Sequence, residues 1–283
     1  FATESAAHSL INVNANDLAC LGATPRWMLV TALLPEARTT EASVKALFRD
    51  LQHACEARGI ALVGGHTEVT AGIDRTILVG QLLGLAPKAR LLPPGQGKPG
   101  DRLLLTKALA IEGTALLARE RANELSHALG SDLVERAATL LIDPGISIVA
   151  DAEAILSSGG ATAMHDPTEG GFATGARELA TASGCGVVVN ADLIPVLPET
   201  RAIASHYRLD PLGMLASGSL LAAVSPAAIT EVEHVLRDRG IPYAWLGKLT
   251  PPERGFTLIR DGRPAELATF AADEVTRVLA VQP

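Results

Sequence analysis

The chain has 283 residues, 48% of them hydrophobic and 3% aromatic, and a net charge of -7. Acidity and scarce aromatics exclude nucleic acid as the main partner, because neither phosphate attraction nor base stacking is supplied. Charge or glycine breaks every apolar stretch before about 18 residues, so no membrane span is expected.

This length predicts two domains with sizeable cores. Cys20, Cys55 and Cys185 are few, odd in number and far apart. They fit a reducing, cytoplasmic setting and neither a disulfide framework nor a zinc site. Phe1-Ala2-Thr3-Glu4-Ser5 has neither the basic nor the apolar region of a signal peptide. It reads as sequence already entering a helix, so part of the natural beginning is expected upstream.

Thr3 is a candidate N-cap for a helix running to about Gly22, its expected C′ residue. Leu10, Asn14, Asp17 and Leu21 are spaced to share one face of it. Two polar side chains bracketed by leucines need partners. Either hydrogen bonds satisfy them or Asp17 binds a cation beside the helix. Arg26 to Leu34 predicts a buried strand closed by Pro35. Thr40 should cap a second helix with Val44, Leu47, Phe48, Leu51 and Cys55 on its apolar stripe and Gly59 as its stop.

Ile60 to Val63 predicts a strand that runs into Gly64-Gly65-His66-Thr67-Glu68. Paired glycines suit a tight turn or close ligand approach. The nitrogen and oxygens that follow suit a phosphate-bound divalent cation. A further strand is expected over Arg75 to Leu85, making this half an α+β module. Residues 86–100, rich in proline and glycine, predict the boundary between domains at 1–90 and 98–283.

In the second half Asp101 to Lys107 reads as a strand, with Lys107 at a solvated end or on a substrate side. Gly113 is expected to precede a helix, and further helices are expected over Leu133 to Leu141 and Ile146 to Leu156. His165-Asp166-Pro167-Thr168-Glu169-Gly170-Gly171 follows a short strand and precedes an amphipathic helix. Such a turn offers amides and a positive dipole end to an anion. Asp166 and Thr168 also suit plain capping, and His165 a structural role. Gly186 to Asn190 predicts a strand, and Leu193 to Tyr207 reads as irregular. Next come a strand to Val224, a helix opened by Pro226 and stopped by Gly240, and a strand over Tyr243 to Leu249. Asp261-Gly262 after Phe256 to Arg260 signals a hairpin, and a last helix is expected over about Asp273 to Ala280. Alternating strands and helices make this half α/β.

Four stretches in order resemble the aminoimidazole ribonucleotide (AIR) synthetase-related, PurM-like superfamily. They are Asn14-Ala15-Asn16-Asp17-Leu18-Ala19 through Pro25, Gly64-Gly65-His66-Thr67, Pro99-Gly100-Asp101, and Asp166-Pro167-Thr168-Glu169-Gly170-Gly171. The superfamily includes thiamine-monophosphate kinase, selenophosphate synthetase and the hydrogenase maturation protein HypE. The HypE-like members are nearest, through the fourth stretch and Leu209-Asp210-Pro211-Leu212-Gly213.

The resemblance implies an ATP- and Mg²⁺-dependent enzyme, a homodimer whose N-terminal sheets pair into a barrel. It would phosphorylate or activate an oxygen of a small-molecule or carbamoyl substrate, possible alternatives being a thiamine-phosphate-kinase-like enzyme and a non-catalytic assembly module. A maturation partner protein is also implied. Asp17 matches the family's Mg²⁺-binding carboxylate, and His66 stands where relatives carry Asp, Glu or His. Asn14, Asn16, Gly64, Gly65, Thr67 and Glu68 would complete the nucleotide side. Lys107, Asp166, Thr168, Glu169, Gly170 and Gly171 would face the acceptor. Two departures stand out: a metal-binding segment expected upstream of Phe1 is not in the sequence, and the Leu279 to Pro283 end lacks the cysteine on which HypE acts.

Overall fold

The computed structural model describes residues 6–280, so the expected Thr3 cap and the Val281-Gln282-Pro283 end lie outside the described residues. The chain divides into two compact units, Phe1–Leu91 and Leu92–Pro283.

The first unit contains α1 (Ala6–Cys20), β1 (Thr24–Pro35), α2 (Glu41–Glu56), β2 (Ala61–Thr70) and β3 (Ile77–Leu85). Its sheet has the order β2-β1-β3, with β1 parallel to β2 and antiparallel to β3. The start of α2 is fixed by a reciprocal cap. Thr40 Oγ1 accepts from the Ser43 N–H at 3.1 Å and Ser43 Oγ accepts from the Thr40 N–H at 2.9 Å. Leu51 and Cys55 anchor that helix in the core. The buried stripe of α1 is Ala7, Ile11, Ala15 and Ala19 with Asn12 and Asn16, rotated from the expected Leu10, Asn14, Asp17 and Leu21. Small alanines let this face approach closely, so packing selects it over the leucine spacing.

The expected buried strand is central but covered on one face only. Met28, Val30, Ala32 and Leu34 are buried, while the residues between them are less so. Trp27, Ile77, Val79, Leu83 and Leu85 remain exposed. Cross-strand register puts Trp27 beside Leu83 and Thr31 beside Val79, so these side chains share the open face.

The second unit has a seven-stranded sheet in the order β10-β9-β6-β8-β4-β7-β5. Its strands are β4 (Arg102–Thr106), β5 (Ala161–His165), β6 (Gly186–Asn190), β7 (Leu221–Val224), β8 (Tyr243–Thr250), β9 (Phe256–Arg260) and β10 (Arg263–Glu266). Strands and helices alternate along the chain, yet in this sheet only the β6–β9 pairing is parallel among the described residues. β4 is buried on both faces, with Leu103 and Leu105 in the largest core cluster beside Phe172, Val187 and Leu221. The β9–β10 hairpin turns at Asp261 and Gly262, both at positive φ, as the Asp-Gly pair predicts.

The helices are α3 (Ile111–Glu120), α4 (Ala122–Leu129), α5 (Ser131–Thr139), α6 (Val149–Ser157), α7 (Gly171–Ala182), α8 (Pro198–Tyr207), α9 (Ile229–Asp238) and α10 (Thr276–Leu279). Three expectations are corrected. Gly113 lies inside α3 rather than before it, and the bare position makes room for the Leu215 carbonyl, which a Cβ there would press on. The segment expected to be irregular contains α8, with Pro198 in its first turn where a missing N–H costs nothing. The last helix is short because Asp273 and Glu274 are engaged elsewhere in the fold. No helix among the described residues is long and apolar enough to cross a membrane.

Thr40→Ala should lower the stability of the first unit by about 1 kcal/mol, the usual worth of a lost N-cap. Urea unfolding followed by circular dichroism measures this, and an unchanged midpoint contradicts the capping account.

Candidate functional site

In the first unit the glycine pair does not form a loop. Gly64 and Gly65 lie within β2, paired with Leu29 and Val30 of β1, and Val63 is the extra residue of a bulge. Gly65 has φ of 137°, and a Cβ there would overlap the Val30 carbonyl oxygen. The close approach it permits is to the neighbouring strand. Gly64 is different: a Cβ there meets nothing within 4 Å.

His66 pairs with Thr31 and Glu68 with Leu33, which puts both on the open face of the sheet. His66 Nε2 lies 3.4 Å from Glu68 Oε2, with both side chains more than half exposed. Such a pair contributes little to stability. Thr67 alternates to the other face beside Ala32.

On α1, Asn14 Nδ2 donates to the Leu10 carbonyl at 2.9 Å and lies over Gly80 of β3, while Asn16 is buried and Asp17 exposed. For Asn14 the intrahelical hydrogen bond is therefore present. Among the described residues no three His, Cys, Asp or Glu side chains group to hold a metal, so Asp17 does not join the His66–Glu68 pair in such a cluster. A phosphate-bound Mg²⁺ needs only one or two protein carboxylates, the rest being phosphate and water oxygens. Asp17, on the helix side of the sheet, fits that requirement as an oxygen donor, whereas Glu68 stands on the opposite, open face. The His66 imidazole suits a phosphate contact better than this hard cation.

The second unit gathers the other candidates. Lys107 is not a solvated strand end. Its ammonium is largely buried and donates to the Ser147 carbonyl at 2.7 Å and the Gly218 carbonyl at 3.0 Å, with Asp151 Oδ2 at 3.0 Å. Asp166 is buried and Glu169 exposed. The Thr168 carbonyl accepts from the Gly171 and Ala216 N–H groups. Neither Asp166 nor Thr168 caps α7; its N-cap residue is Gly170, at φ of 76° with no side-chain cap. A Cβ on Gly171 would strike the Leu212 and Met214 carbonyl oxygens, so the loop is pressed backbone to backbone against residues 212–214. His165 pairs with Glu178 at 2.8 Å on the surface of α7, the structural role.

The anion position at the start of α7 holds a carboxylate of the chain itself. Asp273 Oδ2 accepts from the Gly170 N–H at 2.9 Å, and its Oδ1 from the Val275 N–H at 2.9 Å. Burial raises the Asp273 pKa, against the lowering effect of the N–H groups of Val275, Gly170 and Leu215, and Glu169 adds repulsion. Glu274 Oε2 accepts from the Asp210 N–H at 2.9 Å, drawing the Asp210-Pro211-Leu212-Gly213 turn into the same assembly. Sequence reasoning missed both acids. The available signal was an Asp-Glu pair beside an apolar stripe, which reads equally well as the first turn of a helix.

Fold and motif order together define a class of two-domain proteins with an α+β and an α/β half. Residues 2–86 match the model for the AIR synthase related protein N-terminal domain, and residues 98–259 match that for its C-terminal domain. The chain belongs to the AIR synthase related protein family. It is 27% identical over 226 residues to the carbamoyl dehydratase HypE of Rhodobacter capsulatus, covering 79% of this chain and 63% of that protein. The chain thus spans about 63% of the length of that curated relative. A crystal structure of E. coli HypE superposes with a TM-score of 0.81 at 25% identity, covering 96% of this chain and 82% of that one. A HypE structure in complex with ATP gives a TM-score of 0.75 at 20% identity, covering 95% and 80%. The fold is the two-domain PurM-like one.

Two expected outcomes follow from this geometry. Gly65→Ala should fail to fold stably, as a Cβ at that φ collides with backbone, whereas Gly64→Ala should keep the wild-type melting temperature. Thermal unfolding of the two variants checks the contrast. Asp273 favours its protonated form in the fold, so its contribution is fully present below the unfolded aspartate pKa of about 3.9 and is lost as pH rises through the raised folded value. Urea unfolding across that range should show the decline, and Asp273→Asn should flatten it.

Proposed function

We propose that the chain is an ATP- and Mg²⁺-dependent enzyme that activates an oxygen of a carbamoyl or small-molecule substrate, with the carbamoyl reading first. The observation that carries it is the match to both family domains, with all four motifs inside the described residues. The carbamoyl dehydratase relatives support the choice of substrate class.

Bound ATP and Mg²⁺ would supply the phosphoryl group and neutralise its charge. Asp17 would hold the cation on the helix side of the sheet, and His66 and Glu68 would serve the nucleotide from its open face. Gly64 leaves the open space beside them, while Gly65 positions the strand. Asn14 and Asn16 would belong to the nucleotide side of α1, and Thr67 lies on the covered side of β2. In the second unit Lys107 would place a fixed positive charge near the acceptor. The loop containing Asp166, Thr168, Glu169, Gly170 and Gly171 would line the acceptor side.

The open apolar face of the first sheet supports a homodimer formed by sheet pairing, since exposed patches of this kind mark association surfaces. The HypE-like reading also brings a maturation partner protein. Three buried thiols in no disulfide, at Cys20, Cys55 and Cys185, support a cytoplasmic setting.

Calorimetry with Mg·ATP tests the reading. Binding is expected, and Asp17→Asn should reduce affinity at least ten-fold without changing the melting temperature. No heat at millimolar nucleotide would overturn it. Product analysis then separates loss of a carbamoyl oxygen from phosphorylation of a small molecule.

A further inference from the structure

We propose that Asp273 and Glu274 are positioning residues that hold the acceptor-side loop in its working shape. Both lie beyond residues 98–259, the span matched to the C-terminal family domain. The proposal rests on the reading of the Asp166 to Gly171 loop as the acceptor side.

That loop needs a hold from outside. Gly170 (φ 76°) and Gly171 (φ 67°) are both left-handed. Two glycines in succession leave the backbone its greatest freedom. Gly170, the N-cap residue of α7, brings no side chain of its own to the helix head. Groups that meet a substrate must stay within about 0.5 Å of their place, so a loop this free cannot serve unaided.

The tail supplies two adjacent acids to two different segments. Asp273 Oδ2 accepts from the Gly170 N–H at 2.9 Å, and its Oδ1 is fixed by the Val275 N–H at 2.9 Å. Glu274 Oε2 accepts from the Asp210 N–H at 2.9 Å, and Arg277 Nη1 donates to the same oxygen at 2.7 Å. The Glu274 N–H donates to the Gly213 carbonyl at 3.0 Å. A Cβ on Gly213 would lie 2.5 Å from the Phe270 ring, so the turn is also seated against the tail by its shape. Loop and turn meet directly, since a Cβ on Gly171 would lie 2.5 Å from the Leu212 carbonyl oxygen. Asp273 therefore sets the loop, Glu274 sets the turn, and one short segment keeps the two in register.

Both acids are buried. Burying a carboxylate brings little net stability, because desolvation offsets what the hydrogen bonds return. What directed bonds add is geometry, and the geometry they fix is that of the loop.

The test compares Asp273→Ala and Glu274→Ala with Val275→Ala on the full chain. Val275 is fully buried and fills space beside Gly113, so its variant reports lost packing alone. The probe is Mg·ATP with water in place of the acceptor, read as ADP release. Asp273→Ala should lower kcat at least ten-fold with the KM for ATP within two-fold, because the nucleotide-side residues belong to the first unit. Val275→Ala should lower the melting temperature and keep kcat within two-fold. Glu274→Gln keeps an oxygen for the Asp210 N–H and should retain the kcat that Glu274→Ala loses. Hydrogen exchange read by mass spectrometry should quicken at Gly170 at least ten-fold in Asp273→Ala and not in Val275→Ala. Should Asp273→Ala not fold, Asp273→Asn, equal in shape with one acceptor oxygen fewer, should show the same pattern at several-fold. Equal losses of kcat in the Asp273 and Val275 variants overturn the proposal, as does unchanged exchange at Gly170. No ADP release by the wild-type protein defeats the acceptor reading instead, and the exchange measurement still decides whether Asp273 holds the loop.

Discussion

A buried ammonium organises the second unit. Taking Lys107 out of water costs several kcal/mol unless its charge is met where it lies. The fold meets it with the Asp151 carboxylate and the carbonyls of Ser147 and Gly218. These partners come from three separate segments, so one side chain ties the end of β4 to α6, to the turn before α6 and to the loop before β7. That last loop passes the constraint on. The Leu215 and Ser217 carbonyls accept the Gly113 and Glu112 N–H groups at the start of α3, and the Ala216 N–H reaches the Thr168 carbonyl. The turn bearing Asp166 to Gly171 is thereby registered against Lys107 without touching its ammonium.

The first unit rests on steric fit rather than buried charge. Three glycines set the distances. Gly65 lets β2 close on β1, while Gly80 and Gly84 make room for Asn14, Leu10 and Leu18 of α1 above β3. The covered face of the sheet is consequently dense, and the open face has no such glycine seats for helices. The asymmetry explains why a strand that reads as fully apolar is half solvated.

Much of this was legible in residues that act locally. Thr40 caps, Gly22 and Gly59 stop helices at positive φ, and Asp261-Gly262 turns a hairpin, because each depends on its own few neighbours. Motif order carried the family in the same way. What escaped depends on contacts distant in sequence. Gly64-Gly65 has the composition of a turn, and only the presence of β1 alongside makes it a bulged strand. Lys107 reads as an exposed residue, and only partners far along the chain, Asp151 with the Ser147 and Gly218 carbonyls, make burial tolerable. The anion site before α7 was legible as a turn offering amides, but its resident carboxylate comes from Asp273, 103 residues beyond Gly170. The antiparallel pairing of the second sheet was hidden for the same reason, since alternation along a chain does not state which strands become neighbours.

The Asp273 contact also bears on where the second unit can be cut. The family match ends at residue 259, yet Asp273 supplies the acceptor at the head of α7 and Val275 is fully buried in the main core cluster. A shortened form ending at the family boundary would leave the first amide of α7 without its carboxylate and open a hole beside Gly113, which Val275 Cγ2 fills. The smallest autonomous version of this unit therefore reaches beyond the hairpin, through Val275. Its tail is a structural strut, fixed at Asp273, Glu274 and Val275.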